Sequence, residues 1–193
     1  MNKTRLEAFS DAVIAIVMTI MVLELKVPHA ADFEALKPLV PIFLSYILSF
    51  IYIGIYWNNH HHVFQAAKQV RGSVLWANTH LMFWLSLIPF VTAWAGENHF
   101  SEGPVALYGF VLLMNGVAFQ ILVRVLLKDP ANHVILKEAM GQDVKGWISP
   151  ALYAVAISVA FWMPLVSCAI YIVVAVIWFI PDRRIESRMV KNA

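Results

Sequence analysis

The sequence predicts an all-α fold, a polytopic membrane protein with six transmembrane helices and both termini cytoplasmic. Three observations carry that prediction. The 193 residues are 61% hydrophobic and 13% charged, with a mean hydropathy of +0.71, whereas a soluble domain carries about 25% charged residues. Six apolar stretches have the length that a bilayer core demands of a helix. Finally, twelve of the fourteen Lys and Arg fall at the N-terminus, in the second and fourth loops, and in the tail. Only Lys26 and Lys37 fall on the other side, together with Glu24, Asp32, Glu34, Glu97 and Glu102. Positive charge is retained on the cytoplasmic side, so this segregation fixes an even number of spans with both ends inside. Residues 1–193 read as a single domain, multi-pass in the cell (plasma or inner) membrane, with the lipid bilayer as its surroundings.

The spans are expected at 7–25, 40–62, 74–95, 104–127, 148–163 and 164–181. Pro28, Pro38 and Pro41 punctuate the first loop and prime the second helix. Gly96, Gly103 and Pro104 mark the turn before the fourth, and Asp129-Pro130 stops it. Pro164 sits at the tip of a hairpin formed by two short final helices. The sole cysteine, Cys168, lies in an apolar run, which excludes an intrachain disulfide framework or a cysteine-based zinc site and suits a small buried hydrophobe. A net charge of +2 gives no reason to expect nucleic acid. Glu7 and Asp11 are foreign to the n-region of a signal peptide, so the first span is expected to be retained.

That first span has two faces at 100° per residue. Ala12, Ile16, Thr19, Ile20 and Leu23 form one lean stripe, and Asp11, Ala15, Met18 and Val22 a second, roughly opposite. A carboxylate at membrane depth needs polar partners, so the Asp11 side is expected to meet protein, leaving the other stripe free to line something. The topology brings Arg5 and Asp11 of helix 1, Trp57 and His60 of helix 2, and Asn78 of helix 3 to one depth. Arg5 and Asp11 stand ~240° apart around their helix, and a bridge through His60 and Asn78 would join them. Asp11 as a plain N-cap is the competing reading. His60-His61-His62 points its rings three ways, unlike the i, i+4 pairs that hold zinc, so no metal and no other cofactor is expected. Gly109 and Gly116 read as a close packing seam on the fourth helix, and Trp76, Trp94, Trp147 and Trp178 as an interfacial belt.

Arg5-x-x-x-Phe9-Ser10-Asp11 at the start of the first span resembles the signature of the transmembrane protein 175 family of potassium channels. Trp57-x-x-His60-x-x-x-Phe64 and Asn78 match the same pattern. The resemblance implies a single-unit prokaryotic member, a homotetramer with helix 1 lining a central pore. It further implies that Ile16, Thr19, Ile20 and Leu23 line and gate the pore. Arg5, Phe9, Ser10, Asp11, Trp57, His60 and Asn78 would form the structural polar network. The permeant partners would be potassium and other monovalent cations. Where double-unit members have Ser one residue before the first bottleneck Ile, this chain has Ala15, so potassium selectivity is expected to be modest.

Independent chemistry agrees with a channel. The chain contains no Thr-Val-Gly-Tyr-Gly segment, so a carbonyl-cage filter is excluded, while aliphatic rings can gate by dewetting. The middle thirds of the six spans lack Asp, Glu, Lys and Arg, which argues against a proton- or ion-coupled transporter. An Asp11–His60 relay is the form that alternative would take. An enzyme would need clustered nucleophile, base or metal ligands, for which the His run is the only candidate, so no catalytic residue is assigned.

Overall fold

In a computed structural model, residues 2–133, 136 and 144–179 are described, and among them every regular element is helical. Helix α1 spans Lys3–Leu23, opened by Asn2, whose side chain accepts the Thr4 N–H. A 3-10 helix, Phe33–Leu39, capped by Asp32, leads into α2, Val40–Ala66, with Pro41 in its first turn where no N–H is missed. Then follow α3 (Gly72–Ser86), α4 (Ile88–Glu97), α5 (Glu102–Leu127), α6 (Val144–Ala160) and α7 (Pro164–Phe179). Four segments are long and apolar enough to cross a membrane: Lys3–Leu23, Phe33–Ala66, Gly72–Glu97 and Glu102–Leu127. The 17 residues of α6 and 16 of α7 reach only about 24–26 Å at 1.5 Å per residue.

The third expected span, 74–95, is recovered as one membrane-length segment, Gly72–Glu97, built of two helices. Pro89 has no N–H to give to Leu85, and its ring crowds that carbonyl, so α3 stops at Ser86 and α4 restarts at Ile88. The carbonyl of Trp84, at the break, accepts from Leu87 N–H (3.2 Å) and from Asn115 Nδ2 of α5 (3.3 Å). A neighbouring helix thereby supplies a donor to the carbonyl one residue before the one that Pro89 leaves without its helical partner.

Helix α5 is the hub, packing against α3, α4, α6 and α7. Gly109 lets α7 approach, because a Cβ there would collide with the Tyr171 hydroxyl. At Gly116 the nearest atom would be a comfortable 3.8 Å away, so only half of the expected seam is tight. Gly96 is the other close approach: a Cβ would lie 2.6 Å from Ser45 Oγ and 2.7 Å from Ile42 Cα of α2. The core also holds hydroxyl chains, with Ser49 bonded to Thr92 (2.6 Å) and Tyr108 (2.9 Å), and Tyr153 donating to Tyr52, which donates to the Tyr171 carbonyl.

Helix α1 lies at the edge of this bundle, against α2, α3 and α4. The described basic residues Lys3, Arg5, Lys68, Arg71, Arg124, Lys128 and Lys145 collect at the bundle end formed by the start of α1, the end of α2 and the end of α5. Lys26 and Lys37 lie at the opposite end. Lys137 and the tail's Arg183, Arg184, Arg188 and Lys191 fall outside the described residues.

Candidate functional site

One side of α1 is fixed by packing. Leu6, Ser10, Ile14, Val17 and Met21 are buried, recurring at i, i+4, i+8, i+11 and i+15, the spacing of a single helical face. On the other side Ala12, Ala15, Ile16, Thr19, Ile20 and Leu23 are all exposed in the single chain, Ile16 at 56% and Leu23 at 79%. The Thr19 hydroxyl donates to the Ile16 carbonyl at 2.9 Å, which occupies its proton and leaves oxygen lone pairs free. The exposed surface is therefore an aliphatic strip with one row of hydroxyl acceptors.

The polar partner that α1 turns to the protein is Ser10, not Asp11. Ser10 Oγ donates to Leu6 O (2.9 Å) and accepts from Asn78 Nδ2 (2.9 Å), and Asn78 Oδ1 pairs with His60 Nε2 at 2.8 Å. All three side chains are buried, so this chain ties α1 to α3 and α3 to α2 where hydrogen bonds are hardest to replace. The His60 ring stacks on Phe64, centroids 4.4 Å apart. Asp11 is exposed and accepts from Trp57 Nε1 at 3.0 Å. Phe9 and Trp57 are half exposed, and Arg5 is exposed. The expected Arg5–Asp11 bridge through His60 and Asn78 is thus replaced by two separate pairings. The physical reason is the cost of turning a carboxylate into an apolar bundle: a neutral hydroxyl one residue earlier takes that direction, and Asp11, Ala15 and Val22 lie on the exposed side. Of the stripe expected to face protein, only Met18 packs against the core.

Sequence reasoning missed the clamps at the basic end. Lys3 Nζ donates to the carbonyls of Phe64 (3.0 Å) and Ala67 (3.1 Å), capping the end of α2 with a cation where helix carbonyls are unpaired. Asn132 Oδ1 accepts the N–H groups of Lys68 (2.7 Å) and Gln69 (3.0 Å), and its Nδ2 donates to Gln69 O at 2.9 Å. Arg71 Nε lies 2.7 Å from Asp129 Oδ2, off the hydrogen-bond axis, so the contact is an ion pair. Among the described residues no group of three His, Cys, Asp or Glu converges on a metal position.

Several bilayer-length apolar helices, with an edge helix whose outer face is apolar and uncovered, define a multi-pass membrane protein. Residues 5–89 match the family described as TMEM175, endosomal/lysosomal potassium channel TMEM175. A protein from Chryseobacterium sp. (strain P1-3) named a potassium channel is 52% identical over 192 residues, covering 100% of both chains. A Gallus gallus protein named an endosomal/lysosomal proton channel is 40% identical over 76 residues, 33% of this chain and 15% of that protein. The crystal structure of a lysosomal potassium-selective channel TMEM175 homolog from Chamaesiphon minutus superposes with a TM-score of 0.76 at 27% identity, over 91% of this chain and 95% of that one. The chain belongs to the TMEM175 family.

Proposed function

We propose that this protein is a potassium-permeable cation channel of the cell membrane, a homotetramer whose pore is lined by α1. Each subunit contributes six spans (α1, α2, α3 with α4, α5, α6, α7), with both termini cytoplasmic. The observation that carries the reading is the division of α1. Its Ser10 side is consumed by contacts within the chain, while the opposite side is apolar, uncharged between Ala12 and Leu23, and uncovered. Four such faces around an axis stack rings of Ile16, Thr19, Ile20 and Leu23. The aliphatic rings exclude water and act as gates, and the Thr19 oxygens stand in for part of an ion's hydration shell. Conduction is passive, and potassium selectivity is modest, with Ala15 standing where double-unit members carry Ser.

The names of the full-length relative and of the superposed structure support the potassium reading. An Asp11–His60 relay, as a coupled transporter would need, gains no support: Asp11 bonds Trp57 and His60 bonds Asn78. Purified protein in liposomes with an outward potassium gradient should pass potassium when the countercharge is allowed to move, and native mass measurement in mild detergent should give four copies. Absence of flux, or a fully active monomer, would refute the proposal. A proton gradient in place of potassium separates a proton channel, which is what the Gallus gallus relative is named.

A further inference from the structure

At the end of α1 opposite the basic clamps, the chain places three charges in a short interval. Glu24 caps the helix, Lys26 follows two residues later, and Glu97 ends α4. Lys26 has two carboxylates within electrostatic reach, Glu24 on its own segment and Glu97 across the bundle. It sits on Glu97, with Nζ 2.6 Å from Oε1. That choice leaves Glu24 exposed with no ion pair among the described residues, one residue past Leu23.

We propose that Glu97 is a positioning residue for permeation: by holding Lys26 in an ion pair it leaves the Glu24 carboxylate without one, as the cation-attracting charge at the outer mouth. This rests on the reading of α1 as the pore helix. The strip from Ala12 to Leu23 carries no charge, so any attraction of cations must come from its ends. Lys26, at most about 11 Å of chain beyond Leu23, is the basic residue that follows it most closely in sequence. Released, it would pair with Glu24 or add its own positive charge, and four copies would act together. Hydrogen bonding and the charge of Glu97 raise the Lys26 pKa above its ordinary value, so the ammonium stays charged at any physiological pH and only its partner decides where it stands. An exposed pair of this kind contributes little to folding, and its consequence lies in the field it leaves behind.

The effect must depend on salt, because the Debye length falls from about 30 Å at 0.01 M to about 3 Å at 1 M. Single-channel currents of full-length protein in planar bilayers, with potassium chloride at about 0.01 M and 1 M, test it. Glu97→Gln should lower inward potassium conductance severalfold at low salt and leave it at the wild-type value at 1 M. Glu97→Gln combined with Lys26→Gln should restore the low-salt conductance to at least the wild-type level, and Lys26→Gln alone should not reduce it. A Glu97→Gln conductance equal to wild type at low salt overturns the proposal. So does a reduction that persists at 1 M or survives the Lys26→Gln addition, since a merely structural role would give that pattern. If wild-type protein passes no potassium at either salt concentration, the channel reading itself has failed.

Discussion

Ser10 and Asp11 are adjacent in sequence and 100° apart on α1, and that angle divides their work. Ser10 faces inward and completes the buried chain to Asn78 and His60. Asp11 faces outward, steadied by the Trp57 indole. Removing Asn78 strands a histidine nitrogen and a serine acceptor in a bundle that offers no substitute. Asn78→Ala should therefore cost about 1–3 kcal/mol, seen as a lower melting temperature of the detergent-solubilised protein. Asp11→Ala removes a group that remains accessible, so the subunit's own fold should change by no more than about 0.5 kcal/mol. Its exposed side is where neighbouring subunits would meet, and tetramer yield in native mass measurement should fall. Normal tetramers with altered ion preference alone would show that Asp11 serves the permeation path directly. Span order and direction, read from charge counts, led to the expectation that Arg5, Asp11, Trp57, His60 and Asn78 share one depth, and the structure joins Asp11 to Trp57 and His60 to Asn78. Which of them touch was not legible, since a 100° error in assigning a face leaves hydrophobic periodicity almost unchanged when alanine, methionine and valine lie on both sides.

At the scale of elements, α5 organises the bundle and Gly109 sets how closely α7 can lie against it. Gly109→Ala forces the Tyr171 hydroxyl away from its bond to the Val105 carbonyl. Overpacking of this kind costs about 1–3 kcal/mol, while Gly116→Ala, with room around it, should be close to neutral. Thermal melts of the two variants side by side check the contrast, and equal destabilisation would mean that α5 and α7 do not pack closely at Gly109. The apolar stretches, the proline-primed start of α2 and the Pro164 tip were all readable, because length and backbone chemistry act locally. The division of the third span was not. Pro89 stood in the sequence, but an apolar run of 22 residues, 74–95, looks continuous whether it kinks or stops. The Asn132 clamp on residues 68 and 69 was equally hidden, since it joins positions 63 and 64 apart with no shared period.

For the whole molecule, the decisive question is what covers the outer face of α1. Ile16, Thr19, Ile20 and Leu23 lie within about 100° of the helix circumference, all exposed in the single chain. Met18 lies outside that sector and packs partly against the core. If the face met only lipid, a polar residue there would be penalised and nothing gained. If it lines a pore, each aliphatic ring imposes a dehydration barrier that a polar side chain lowers. Ile16→Asn and Leu23→Ser should then raise potassium flux in liposomes and reduce discrimination between potassium and sodium. The same flux should be nearly unchanged per tetramer in Met18→Asn, whose main effect should be poorer packing and lower yield. Because the two pore substitutions remove constrictions about 10 Å apart along the axis at 1.5 Å per residue, they act in series, and the double variant should conduct more than either alone. Flux per reconstituted tetramer, at matched protein density, reads all four variants in one assay. Equal flux from wild type, Ile16→Asn and Leu23→Ser would mean that ions do not pass along this face, whatever else the tetramer does.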